Sequence, residues 1–263
     1  MINKIFIIIM LPISLFCDIH YAKMEPIETV TLKAEASGKA VKVMSELEGK
    51  VVNGVIVQID DKINKLDLKH SKESLNLINK MIKLNEDMLP ILKKNLDEKK
   101  RLYLKIAPLY SSSENQKNNL YSAYISAKTQ YSSTQEKILN LKSQKVTLEQ
   151  KIAQLEDLIS KKEILVKDKY LYSLNIKKGE FITIGMPIAI IQDISKAKLT
   201  IYLSDDEIKN LSKKRIYING KKSNLKFNKI WKVADKEYIS SYKAEIVLNP
   251  IGRFSKLLKV ELK

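Results

Sequence analysis

The chain has 263 residues, and its 47 lysines and arginines outnumber 30 aspartates and glutamates, for a formal net charge of +17. Such a basic composition invites a nucleic-acid-binding interpretation, but the lysines are spread over every segment and no aromatic platform lies among them. One cysteine and two histidines leave no disulfide framework and no cluster with metal-ligand spacing, and no glycine-rich phosphate loop occurs. The composition therefore predicts a protein with no catalytic site, no cofactor and no nucleic-acid partner.

Residues 1–22 have the character of a secretory signal peptide. Lys4 supplies the positive charge, and residues 5–16 form an apolar run that is shorter than the ~20 residues a spanning helix needs. Ala22 is a small residue suited to cleavage, which predicts a mature chain that begins near Lys23 in the periplasm. Two alternatives remain open, namely a lipid on Cys17 and an uncleaved anchor in the inner membrane.

Residues 25–61 alternate between apolar and polar side chains with a period of two. Gly38, Gly49 and Gly54 punctuate this stretch at short intervals. Alternation of this kind, broken by glycines, is typical of short strands joined by tight turns. The segment therefore predicts one half of a small β domain.

Residues 63–166 contain no glycine, and apolar residues recur there at alternating spacings of four and three. Such an a/d heptad pattern over many heptads is typical of a coiled coil. Pro108 and the serines after it interrupt the pattern, which predicts two helices of about 70 Å folded back on each other over residues 62–162, with a tip at 107–114. We expect Leu84 and Ile138 to face each other at comparable heights; the alternative is a coiled coil between chains. The series are Leu77, Met81, Leu84, Met88, Ile91 and Leu102 in the first helix, and Leu120, Tyr124, Ala127, Tyr131, Thr134, Ile138, Leu141, Leu148, Ile152, Leu155 and Ile159 in the second.

After the helices the glycine-punctuated alternation returns over residues 163–195, with Gly179, Gly185 and Pro187. Because this stretch weakly repeats the one before the helices, we expect the two flanks to complete a single β domain. Residues 196–263 hold further short strands and one short helix, which predicts a small β-barrel. The fold class is then α+β and elongated, with a helical hairpin inserted in a split β domain.

These motifs together resemble the HlyD-like membrane-fusion protein family of periplasmic adaptors. The first flank is similar to one half of that family's lipoyl motif, and the second flank is similar to the other half. The order of half-lipoyl, hairpin, half-lipoyl and barrel covers nearly the whole chain after residue 22. The matching residues are Ser37, Gly38, Gly49, Val52 and Gly54 in the first half, and Gly179, Ile182, Gly185, Pro187, Ile188, Ile191 and Asp193 in the second.

The resemblance implies a lipoyl (barrel-sandwich hybrid) domain, no enzymatic activity and a role between two membranes. Its expected partners are an inner-membrane transporter, either an ATP-binding-cassette or a proton-driven pump, and an outer-membrane tunnel protein. It also implies a homo-oligomeric, hexameric ring. The family's membrane-proximal domain is not expected in this chain. A coiled-coil stalk or adhesin is the alternative, and a lipoyl or biotin carrier subunit is a further one.

In many adaptors of this family the hairpin tip carries an R-x-x-x-L-x-x-x-x-x-x-S motif that touches the outer-membrane tunnel. The resemblance gives two possible registers here. Arg101 keeps the arginine but places Lys105 at the leucine position. The preferred register uses Lys100, Leu104 and Ser111, with Glu114 following, because it keeps the apolar residue that carries contact energy.

Overall fold

A computed structural model describes residues 18–235 and 237–263 and shows a mixture of long helices and β-strands, which confirms the predicted α+β class in outline. The predicted apolar signal segment, residues 5–16, and Cys17 lie outside the described residues. The helices are α1 (Lys62–Ile106), α2 (Glu114–Lys161) and α3 (Asp205–Lys209). The strands are β1 (Asp18–Lys33), β2 (Gly38–Val43), β3 (Val51–Ile59), β4 (Glu163–Leu174), β5 (Phe181–Ile182), β6 (Pro187–Ser204), β7 (Ile216–Ile218), β8 (Lys221–Lys222), β9 (Phe227–Ile230), β10 (Ser241–Leu248) and β11 (Leu257–Leu262).

Two apolar cores divide the strands into two β units. The first unit comprises β2 to β5 with the ends of β1 and β6 nearest the long helices. Its core draws Ile56 and Ile59 from before the helices and Leu171 and Ile188 from after them. The second unit comprises β7 to β11 with the remaining parts of β1 and β6. The first core is therefore built jointly by chain segments that the helices separate.

Strands β1 and β6 are long and antiparallel, and they run through both units. Lys33 pairs with Pro187 in the first unit, and Met24 pairs with Leu199 in the second. A register shift between Pro26 and Glu28 marks the passage from one unit to the other. Because β1 and β6 stay paired on both sides of this point, the two units are connected by both strands and by the hydrogen bonds between them.

The start of β1 differs from the sequence prediction, which ended the signal segment at Ala22 and began the barrel at residue 196. Asp18 to Lys23 pair with Leu262 to Leu257 of β11. Ala22 and Met24 are buried in the core of the second unit. A cut after Ala22 would remove five residues of this pairing. The prediction missed this strand because its short apolar-polar alternation follows directly on the apolar run of residues 5–16.

Helices α1 and α2 lie antiparallel against each other. Salt bridges join Glu86 to Lys142 and Lys72 to Glu156, each at 2.7 Å. In both pairs the two residue numbers add up to 228, which gives the register of the helical pair over this stretch.

Candidate functional site

The tip of the helical pair is formed by residues 107–113, between the end of α1 and the start of α2. Pro108 follows the last turn of α1, where proline cannot continue a helix. Ser113 caps α2, and its hydroxyl accepts a hydrogen bond from the Gln116 N–H at 3.3 Å. The turn is therefore specified locally, by a helix stop and a helix start only a few residues apart.

A layer of three tyrosines closes the contact between the helices just below the tip. Tyr103 of α1 lies 5.3 Å from the ring of Tyr121 and 6.1 Å from the ring of Tyr124, both of α2. Aromatic rings at these separations attract each other and bury a large area. This layer fixes the two helix ends against each other and so gives the tip a defined shape.

All four residues predicted to contact a partner at the tip are exposed. Lys100 and Leu104 lie one turn apart on α1, Ser111 lies in the turn, and Glu114 opens α2. The Leu104 side chain is 57% exposed, so it does not close the top of the helical pair, a role that the tyrosine layer fills. In the alternative register, Arg101 and Lys105 are also exposed. A channel contact at these residues stays a prediction.

Sequence reasoning missed two apolar residues in the turn itself. Tyr110 is fully exposed and Leu109 is largely exposed. With Leu104 they form what we call the tip patch, an apolar surface at the far end of the helical pair. The signal was present in the sequence, because leucine and tyrosine are unusual in a turn that otherwise holds proline and serines. The tip patch could bury these side chains against another protein.

The long sides of the helical pair correct the predicted contact surface of α1. Leu84 is 65% exposed, whereas Ile82 is 8% exposed and faces α2. The heptad series predicted for α1 is therefore wrong by one position, which is about 100° of rotation about the helix axis, and Leu84 does not face Ile138. By the register of the salt bridges, the residue of α1 at the height of Ile138 is Pro90, and Leu89 is one residue away, a rise of about 1.5 Å. The residues of α1 on the contact side include Leu68, Ser71, Leu75, Ile78, Ile82, Leu89, Leu92 and Leu96.

The first five residues of the series predicted for α1 form a second apolar row, which we call the α1 stripe, whereas the sixth, Leu102, is half-buried. Its five members follow spacings of four, three, four and three, which is the a/d pattern of a coiled coil. All of them are exposed, at between 43% and 70%. An exposed row of this kind is typical of a surface that another helix covers. The members of the α1 stripe are Leu77, Met81, Leu84, Met88 and Ile91.

A sparser apolar row, which we call the α2 row, lies on the opposite side of the helical pair. Its two members, Leu139 and Val146, are both largely exposed. Val146 shares a groove with Glu86 and Lys142, and the salt bridge between those two residues spans the same side. Met81 and Met88 of the stripe come one position before the contact residues Ile82 and Leu89. Asn79 and Lys83, which line the groove, come one position after the contact residues Ile78 and Ile82. One position turns a helix by about 100°. The stripe and the row therefore face in opposite directions.

Hydrogen bonds and ion pairs fix the helical pair to the first β unit. The Lys162 ammonium is mostly buried and donates to the Asp60 carbonyl at 2.7 Å and to Asn64 Oδ1 at 2.6 Å. Asp61, also buried, accepts from Gln58 Nε2 at 3.0 Å and pairs with Lys65 at 2.7 Å. The hydrogen bond that the Lys65 ammonium donates to Asp61 raises the pKa of that ammonium. These contacts set the direction in which the helices leave the β unit.

The glycines of the predicted half-motifs all adopt positive φ angles that favour glycine. Of these, Gly38 is the most constrained, with φ of +149° and with Ile59 Cγ2 only 2.7 Å from where a Cβ atom would stand. Pro187 is the first residue of β6, a position where a strand tolerates proline although proline has no N–H to donate to the neighbouring strand. Asp193 accepts from Lys169 at 2.6 Å and from the Ser195 hydroxyl at 2.6 Å, and these bonds hold the pKa of its carboxyl well below the usual range. The half-motif residues are Gly38, Gly49, Gly54, Gly179, Gly185 and Pro187.

The described part of the chain holds neither a metal-ligand cluster nor a helix that could span a membrane. No group of three or more histidine, cysteine or acidic side chains could hold a metal ion within residues 18–235 and 237–263. In those same ranges, no helix has both the length and the apolar character needed to cross a bilayer.

Solved structures share this arrangement of helical pair and two β units. MacA from Actinobacillus actinomycetemcomitans matches with a TM-score of 0.62 at 17% identity, over 94% of this chain and 78% of that one. The membrane fusion protein Spr0693 from Streptococcus pneumoniae R6 matches with a TM-score of 0.52 at 12% identity, over 94% and 97% of the two chains. The chain has the fold of the membrane fusion proteins.

A third solved structure that matches is a chimeric protein. A chimera of MacA that carries the α-hairpin domain of Pseudomonas aeruginosa MexA matches with a TM-score of 0.54 at 15% identity, over 94% of this chain and 81% of that one. No family model matches this sequence. No curated protein matches it either. The likeness to membrane fusion proteins is therefore one of fold.

Proposed function

We propose that this chain is a periplasmic adaptor that links an inner-membrane transporter to an outer-membrane channel, for efflux or secretion. The observation that carries the proposal is the helical pair. It projects from a β core that the chain segments before and after the helices build together, and it ends in the exposed tip patch. The fold likeness to membrane fusion proteins supports it. In this reading the first β unit is a lipoyl domain, the helices are a coiled-coil hairpin and the second β unit is the barrel. No chemistry by this chain is required, because its action is to join two proteins.

The two apolar rows support assembly of several copies side by side. The α1 stripe and the α2 row face in opposite directions, so one copy can present its stripe to the row of the next. Such head-to-tail contacts generate a closed ring when the rotation between copies closes. By the register of the salt bridges, Met88 lies within one residue of the height of Leu139, and Met81 lies within one residue of that of Val146. Copies at equal height would therefore bring apolar residues together, in line with the hexameric ring that the sequence resemblance implies.

The tip would be the contact with the outer-membrane tunnel protein. Leu104, Leu109 and Tyr110 supply apolar area, and Lys100, Ser111 and Glu114 surround them with polar groups. An apolar centre within a polar rim is the usual anatomy of a protein interface. The structural stalk, the main alternative, would not need a polar-rimmed apolar patch at its end.

A photo-crosslinking amino acid at position 110 in the producing cells tests this function. We expect it to capture an outer-membrane channel, and we expect Leu104→Asp to reduce that capture at least tenfold because a charge would be buried in the contact. Lys105→Asp is the matched control, since it places the same charge one residue away on an exposed position. Circular dichroism of both variants checks that the helices remain folded. Undiminished capture in Leu104→Asp, or capture of no outer-membrane protein at all, would refute the tip assignment.

A further inference from the structure

The loop between β9 and β10 is described at residues 231–235 and 237–240, and its backbone there has a defined shape. The Asp235 N–H donates to the Ser241 carbonyl at 2.8 Å, and the Ser241 N–H donates to the Tyr238 carbonyl at 2.9 Å. Asp235 Oδ1 accepts from the N–H groups of Glu237 at 2.9 Å and Tyr238 at 3.3 Å. The ring of Tyr238 stacks on that of Tyr202, with centroids 4.0 Å apart. The loop is therefore held against β10 and β6 by its own hydrogen bonds and by one aromatic contact.

This ordered loop holds aliphatic side chains in the solvent. Val233 is 78% exposed and Ile239 is 85% exposed, the two highest values among the aliphatic residues that the structure describes. Tyr238 is half-exposed beside them. A loop that is ordered by hydrogen bonds and still exposes apolar side chains is typical of a surface that contacts a membrane or a partner protein.

Basic and aromatic side chains flank these apolar tips. Trp231 lies between two ammonium groups, that of Lys229 at 4.3 Å and that of Lys243 at 4.8 Å from its ring centroid. Lys232 is exposed and has no ion-pair partner among the described residues. Glu237 is the one exposed acid of the loop, because Asp235 is engaged in the turn. Tryptophan, tyrosine and lysine around exposed aliphatic tips are the side chains that favour the surface of an anionic bilayer.

The position of the loop in the fold also favours contact with a membrane surface. Ser241, where the loop re-enters the sheet, pairs with Ser204 at the end of β6 that is farthest from the helical pair. Asp18 lies at this same end, since it pairs with Leu262 while Lys23 pairs with Leu257 nearer the first unit. The apolar run of residues 5–16 therefore joins the described chain at the end that carries the loop.

We propose that the β9–β10 loop is a membrane-contact loop that seats on an anionic phospholipid surface, with Val233 and Ile239 entering the headgroup region and the lysines meeting phosphate groups. The inference goes beyond the adaptor function and does not depend on it, because it concerns the opposite end of the molecule. The alternative occupant is the periplasmic face of a transporter, which the experiment separates.

The sole tryptophan of the chain, Trp231, reports on this loop directly. The full chain is mixed with vesicles of phosphatidylglycerol and phosphatidylcholine in a one-to-two ratio, with and without brominated acyl chains. We expect Trp231 emission to shift to shorter wavelength and to be quenched by the brominated lipid. Vesicles of phosphatidylcholine alone should give less of both effects, and Lys232→Gln should weaken the response about fivefold at low salt.

The double substitution Val233→Asp with Ile239→Asp should abolish the quenching. Its matched control is Ile63→Asp with Ile184→Asp, two isoleucines that are each 70% exposed but lie in the α1 start and the β5–β6 turn. Both variants keep residues 1–17, so any membrane binding by that segment is the same in the two proteins. Equal quenching in the two variants, or no quenching by any vesicle, overturns the proposal. A Trp231 shift that requires an added transporter and is insensitive to brominated lipid also overturns it in favour of the protein partner.

Discussion

At the scale of single residues, the positions most tightly specified by the fold lie in the first β unit. Gly38 and Gly54 have almost the same backbone conformation, with φ of +149° and +152°. Their surroundings differ, because a Cβ atom at Gly38 would meet Ile59 in the core, whereas nothing lies within 4 Å of the same atom at Gly54. Both positions therefore favour glycine for the backbone, but only one requires it for packing as well.

Gly38→Ala is predicted to destabilise the first β unit more than Gly54→Ala does. Each substitution carries a backbone cost of about 1–3 kcal/mol. Gly38→Ala adds an overpacking cost of about 1–3 kcal/mol, because Ile59 is fully buried and cannot move aside freely. Urea unfolding followed by circular dichroism measures both variants. If Gly38→Ala unfolds at the same urea concentration as Gly54→Ala, the close approach to Ile59 has no energetic consequence.

At the scale of elements, α1 carries two apolar rows, and only one of them can face α2. The row that does so contains Ile82, Leu89, Leu92 and Leu96, while the α1 stripe stays on the surface. Both rows follow heptad spacings, so their periodicity is the same. Helix α2 carries one strong row, and there the predicted contact residues Ala127, Ile138, Leu141 and Ile152 are buried. The extra row on α1 gives the helical pair an apolar side surface.

Cysteines at Met88 and Leu139, in a Cys17→Ser background, are predicted to crosslink only between copies of the chain. The two positions lie within one residue of the same height but on opposite sides of one helical pair, so a short thiol crosslinker cannot join them within a chain. The reaction is carried out in the producing cells, where the assembly is intact, and is read as dimers and larger species on a denaturing gel.

Cysteines at Leu89 and Ile138 are the matched control, because these residues face each other across one helical pair. They should give a crosslinked monomer. A crosslinked monomer from the pair at 88 and 139, or no product from it while the control reacts, would contradict the proposed side-by-side packing.

At the scale of the whole molecule, the helical pair is an insertion into a β unit that does not depend on it for its core. The core residues Ile56 and Ile59 come from one flank and Leu171 and Ile188 from the other. Strands β3 and β4 pair directly at the base of the helices, with Gln58 opposite Glu163. The strands on either side of the insertion thus contact each other without help from α1 or α2.

Removing residues 65–160 and joining the ends through a short glycine-serine turn is predicted to leave a folded β protein. The shortened chain keeps Asn64 and Lys162, whose hydrogen bond holds the base together. Circular dichroism should show strand structure with cooperative thermal unfolding. The control removes residues 163–195, which takes away β4, β5 and part of the core, and it should not fold. Non-cooperative melting of the first deletion would refute the shared core.

The sequence by itself determined the features that depend on local chemistry. The absence of glycine from residues 63–166, with heptad spacing and a proline-serine break, predicts two long helices and a turn, and the structure has α1 and α2 with Ser113 as the cap. The alternating, glycine-punctuated flanks predict strands. These features depend on backbone preference and periodicity, which neighbouring residues express without the rest of the chain.

Tertiary structure alone decided the rest. Which of two equivalent rows on α1 faces α2 depends on the partner helix, and periodicity cannot distinguish them. The role of Asp18–Lys23 in the second β unit depends on β11, more than 230 residues away along the chain. In the sequence, nothing distinguishes Val233 and Ile239 of the β9–β10 loop from the apolar residues of the neighbouring strands. Only the structure shows that these two side chains are exposed to solvent. Burial is a property of the folded chain, because it depends on what packs against a side chain as well as on the side chain itself.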